Sequence, residues 1–74
     1  MTVEVRIKRC LLRDRRKRAG LSQQQVAELL GVSKSRISEY ENSEINMSIL
    51  TAKKLAVICG CDISDLFIFE ISRK

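Results

Sequence analysis

Hydrophobic positions along this chain follow two periods. Between residues 8 and 60 they return every three or four positions, as in helices with one apolar face. At both ends they alternate with polar residues, as in strands. Four principal helices are predicted. The first spans roughly Lys8 to Arg18, with Cys10, Leu11 and the Asp14–Arg15 pair on its inner side. The second opens after Ser22, sets Val26, Leu29 and Leu30 on an apolar face with Ala27 at a close-approach position, and stops at Gly31. The third takes Ser33 as N-cap and runs to about Glu41, with Ile37 and Tyr40 its only large apolar residues. The fourth starts near Ser48 and carries Leu50, Leu55, Ala56 and Ile58 to Gly60. A short final turn is predicted from Ser64 to Phe67, with Ser64 as its cap.

The termini read differently. Val3, Val5 and Ile7 alternate with Thr2, Glu4 and Arg6, and Phe67, Phe69 and Ile71 alternate with Ile68, Glu70 and Ser72. Strands are expected over residues 2–7 and 67–72, forming a small antiparallel ribbon either within one chain or between two. With no proline and no linker or repeat, the expectation is one domain over residues 1–74, mainly α.

Composition narrows the picture. A chain of 74 residues buries a small share of its surface, so pairing of two copies would relieve a scarce core. Hydrophobic content of 45% argues against disorder, and with only Tyr40, Phe67 and Phe69 aromatic the core must be aliphatic. The net charge is +5, and residues 6–18 concentrate it: Arg6, Lys8, Arg9, Arg13, Arg15, Arg16, Lys17 and Arg18 against Asp14 alone. Such a focus suits a polyanion, nucleic acid or an anionic membrane, although a solvated helix face gives the same pattern. The first helix lacks the aromatic and broad apolar face of a membrane anchor. No secretory signal or membrane-spanning stretch is visible, and three cysteines (Cys10, Cys59, Cys61) suggest reduced thiols in a cytosol. Without histidine, a closed zinc site is not expected, nor is any other metal, cofactor or small-molecule ligand. An enzyme is not expected either: there is no nucleophile with an adjacent base and no glycine-rich phosphate loop.

The segment QQQVAELLGVSKSRISEYEN carries the strongest signal. Ser22 followed by Gln25 is a capping box before the second helix. Ala27 is small where two helices would cross, Gly31 tolerates left-handed geometry at a turn, and Ile37 is a branched anchor under the third helix. Val26, Leu30, Val32 and Tyr40 supply apolar contacts around them. This is the patterning of a helix-turn-helix over residues 22–42. On the third helix Ile37 and Tyr40 face inward, Ser35, Ser38, Glu39 and Asn42 outward, and Lys34 and Arg36 lie on the flanks. Short polar groups can approach base edges while longer cations reach phosphates or guanines.

Through LSQQQVAELLGVSKSRISEYEN, preceded by an Arg-rich helix and followed by CGCDISDLF, the chain resembles the Cro and repressor-type (XRE) helix-turn-helix family over Ile7 to Phe67. The resemblance implies a repressor-like bundle of four to five helices and a sequence-specific transcriptional regulator of double-stranded DNA, a repressor of phage, prophage or bacterial type that reads the major groove with helix 33–41. It would bind a two-fold symmetric operator as a homodimer. It implies that Gln23 binds a phosphate, that Lys34, Ser35 and Glu39 face base edges, and that Arg36 and Asn42 hold phosphates. It also implies a structural ion pair between Arg16 and Glu41. For Glu39 two roles stay open: accepting from cytosine N4, or pairing with Arg36 on its own helix. Two positions depart from the family pattern, Ser43 where glycine is frequent and Met47 where proline is frequent. The competing functions are a protein-interaction module and an antitoxin-type regulator on the same fold.

Overall fold

Alternation at the two termini is realised as one antiparallel ribbon within a single chain. The computed structural model describes residues 1–74. Strand β1 (Val3–Cys10) pairs with β2 (Phe67–Arg73), matching Val5 with Ile71, Arg6 with Glu70 and Ile7 with Phe69. The register shifts between Ile7 and Arg9, so Lys8 is the extra residue of a bulge. Beyond the strands, the backbone N–H of Lys74 donates to Thr2 O at 2.7 Å. Between the strands lie α1 (Leu12–Arg18), α2 (Gln23–Leu30), α3 (Lys34–Glu41), α4 (Ile49–Cys59) and a 3-10 turn (Ile63–Asp65).

β1 is longer and α1 shorter than the sequence pattern predicts. Cys10 pairs with Phe67, so β2 holds residues 8–10 in the strand, and Leu11 N–H donates to Leu66 O at 2.7 Å just before α1 begins. The inner side of α1 is Leu12 and Arg16, one turn apart, rather than Cys10, Leu11 and the Asp14–Arg15 pair. Asp14 is exposed and pairs with Arg18 at 3.1 Å, while Arg15 reaches the Asp65 carbonyl at 3.1 Å.

Ten residues make the core: Leu12, Val26, Ala27, Ile37, Tyr40, Ala52, Leu55, Ala56, Cys59 and Leu66. On α4 the buried residues are Ala52, Leu55, Ala56 and Cys59, a helical i, i+3, i+4, i+7 set. Leu50 lies off that set and is exposed. Leu29 is likewise exposed, because Val26 and Ala27 already form the buried side of α2. Val32 is exposed at the turn and Leu30 is half-buried against the core. The N-cap of the 3-10 turn is Asp62, whose N–H donates to Asp65 Oδ2 at 3.0 Å; Ser64 sits inside the turn. No helix is long and apolar enough to cross a membrane.

Candidate nucleic-acid interface

Two capped helices and the turn between them define the site. Ser22 Oγ accepts from Gln25 N–H at 3.0 Å, and Gln25 Oε1 accepts from Ser22 N–H at 2.8 Å, closing the capping box. Gly31 ends α2 at φ 82°, in the left-handed region where glycine carries no Cβ penalty. Its N–H donates to Ala27 O at 2.8 Å, and Val32 N–H to the same carbonyl at 3.0 Å. Ser33 Oγ then accepts from Arg36 N–H at 3.2 Å and starts α3. Ala27 is 1% exposed, and Val26 and Ile37 are completely buried, so α3 is seated on α2 without freedom to roll.

What α3 leaves outside is its first turn. Lys34, Ser35 and Arg36 are exposed, and no ion pair or hydrogen bond engages their side chains. Ser38 and Glu39 are half-buried, and Asn42, the C-cap, is exposed. Glu39 forms no ion pair with Arg36 in this structure.

A buried carboxylate ties this helix to α1. Glu41 has a side chain 0% exposed; its Oε2 accepts from Arg16 Nε at 2.6 Å and its Oε1 from Arg16 Nη2 at 3.2 Å. The same Oε1 accepts from Arg13 Nε at 3.2 Å and from Gln23 Nε2 at 3.0 Å. Burial alone would raise the Glu41 carboxyl. Hydrogen bonds from Arg16, Gln23 and Arg13, with the Arg16 charge, more than offset it and hold the group below its ordinary value. Arg16 Nη1 also donates to Leu21 O at 3.0 Å, so the loop entering α2 hangs on the same guanidinium.

Gln23 and Asn42 are therefore both anchored. Gln23 commits one amide hydrogen to Glu41, leaving the second at the start of α2. Asn42 Oδ1 accepts from Arg13 Nη2 at 2.7 Å. Arg13 is the residue that sequence reasoning missed. Its spacing of three from Arg16 places both on one face of α1, and that was the available signal. Beside Asn42, a groove of about 430 Å³ is lined by Lys8, Arg9, Arg13, Lys17 and Ser43, together with Asp14 and Glu41, both of which are paired with arginines. The basic run thus borders the exposed C-terminal end of α3. Ser43 adopts φ 57°, the conformation that favours glycine at this position.

No three His, Cys, Asp or Glu side chains are grouped to hold a metal. Cys10, Cys59 and Cys61 are free thiols; burial, the largest influence on each, pushes all three up and keeps them protonated.

Comparison with known proteins gives three results. A helix-turn-helix family pattern matches residues 12–66. An SPbeta prophage-derived HTH-type transcriptional regulator, YopS of Bacillus subtilis strain 168, is 29% identical over 72 residues, covering 96% of this chain and 97% of the relative. Among solved structures, apo-HppE superposes with a TM-score of 0.74 at 27% identity, over 78% of this chain but only 33% of that one. SinR, a master regulator for biofilm formation crystallised in complex with DNA, superposes with a TM-score of 0.65 at 30% identity, covering 72% of this chain and 86% of SinR.

Proposed function

The chain belongs to the helix-turn-helix family, and on that premise we propose that it is a DNA-binding transcriptional regulator of phage or bacterial type, not an enzyme. The observation that carries this reading is the first turn of α3, where Lys34, Ser35 and Arg36 stand exposed and uncommitted on a helix locked to α2. A rigid helix with free polar side chains on its outer face is what the major groove admits.

Roles follow from reach and chemistry. Lys34 and Ser35 read base edges. Glu39, without an ion-pair partner, is assigned to a base as well, where a carboxylate accepts from cytosine N4. Arg36 and Asn42 hold phosphates, and Gln23 offers a phosphate the amide hydrogen that Glu41 does not use. The groove cations Lys8, Arg9, Arg13 and Lys17 add charge to the same backbone path. The protein works in the bacterial cytosol, where its DNA is, and a homodimer would present two copies of α3 about 34 Å apart to a two-fold symmetric operator.

Binding to duplex DNA across a salt series tests this reading. Log affinity falls with log salt by about 0.9 for each phosphate contacted, so a steep line is expected. Arg36→Ala lowers affinity evenly across sequences, whereas Lys34→Ala relaxes preference at one base pair. No affinity for duplex DNA even at low salt refutes the proposal.

A further inference from the structure

The ribbon leaves a face that the chain itself does not cover. Directly paired residues share a side, so Val3, Val5, Ile7, Phe69 and Ile71 line one face of β1 and β2, with Arg73 beside Val3 at the tip. All five are 45–63% exposed. The opposite face is polar, and Arg6 Nη2 pairs there with Glu70 Oε2 at 3.0 Å. The molecule is 44 Å long but only 21 by 18 Å across, so the ribbon projects from the helical body as an arm. A two-stranded ribbon in water is marginal on its own, and a contiguous apolar face of this kind marks an interaction surface.

We propose that this face packs against the same face of a second copy, the two ribbons lying antiparallel across a two-fold axis. Area supports that occupant. Five side chains at this exposure offer on the order of 500 Å² per chain, and two chains together about 1,000 Å² when fully covered, which reaches the lower bound for a specific interface before any burial at the ribbon's root is added. Shape sets the direction. Stacked sheets lie about 10 Å apart, while the helical bodies are wider, so parallel ribbons would drive the bodies together and antiparallel ribbons keep them at opposite ends. Each ribbon tip then lies over the root of its partner. That root carries a groove of about 400 Å³ in which Ile7, Cys10, Tyr40, Ile45, Met47 and Phe67 line the apolar part beside Lys8, Ser43 and Asn46, and the apolar part suits the Val3 and Ile71 side chains of the other copy. The Phe67 and Phe69 rings, 5.9 Å between centroids, continue the apolar surface from groove to arm.

The rival surface is α4, where Ile49, Leu50 and Val57 are also exposed. Lys53 and Lys54 interrupt that face, and a two-fold axis there would bring lysines of two copies together. On the ribbon face the one charge is Arg73, beside Val3 at the tip and away from the two-fold axis, and none lies between Val5 and Phe69.

This inference deepens the homodimer in the proposed function, and its test needs no DNA. Sedimentation equilibrium of the full chain at micromolar concentration should give a dimer. Val5→Lys with Ile71→Lys should give a monomer. Val5→Thr with Ile71→Thr, which keeps β-branched side chains and hence the ribbon, should still fold by circular dichroism and raise the dimer dissociation constant by at least about tenfold. Leu50→Lys with Val57→Lys should leave the dimer intact. A dimer that survives both ribbon variants overturns the assigned surface while keeping the dimer. So does a dimer broken by the α4 variant. A monomeric wild-type chain overturns both.

Discussion

Glu41 accepts four hydrogen bonds from three side chains while fully removed from water, and removal of one partner leaves the others uncompensated. Arg16→Ala or Glu41→Ala should cost about 3–5 kcal/mol, whereas replacing both with methionine should cost less than either alone; urea unfolding of the three variants measures this. The pH dependence has a definite sign. The Glu41 carboxyl is lowered on folding, so its stabilisation is fully present above its ordinary value of about 4.5 and is lost as pH falls through the lower folded value. Glu41→Gln should flatten the acid limb of stability against pH in that window. Ser43 makes the opposite case. Held at φ 57°, it should be improved by Ser43→Gly, by about 1 kcal/mol, read as a rise in Tm. Of these residue-scale features, the Arg16–Glu41 pairing was anticipated from family resemblance. Arg13 was not: its spacing from Arg16 marks the shared face of α1, but a run of exposed cations does not single out the one that reaches Glu41 and Asn42.

The helix-turn-helix was the most legible element, because its determinants are local. Caps at Ser22 and Ser33 and a left-handed Gly31 depend only on near neighbours in the chain. Ser33→Ala should therefore cost about 1 kcal/mol by loosening the start of α3, seen in thermal melts. The same variant should weaken DNA binding beyond its effect on folding, because Lys34, Ser35 and Arg36 form the turn that Ser33 caps. The β1–α1 boundary was misjudged for the converse reason. Residues 8–10 are held in the strand by β2, nearly sixty positions away, and local periodicity carries no trace of that pairing. Leu29 and Leu50 depart from the pattern because a leucine on a short helix fits either face by spacing alone. Which face is filled is decided by the helix packed against it.

At the scale of the whole molecule, the chain is a small helical body with an arm, and each part presents a different surface. The body offers the polar first turn of α3 and, at the other end of that helix, the groove of Lys8, Arg9, Arg13 and Lys17. The arm offers Val3, Val5, Ile7, Phe69 and Ile71. Both strands were visible in the sequence; that they pair within one chain was not, since alternation is the same for either arrangement. The central claim is that α3 reads duplex DNA, and selection of bound sites from a random duplex pool tests it most directly. The predicted result is an enriched two-fold symmetric site with half-sites about one helical turn apart, whose preference at one position per half-site is lost with Lys34→Ala or Ser35→Ala. Failure to enrich any sequence, or an enriched site unchanged by both variants, would contradict it.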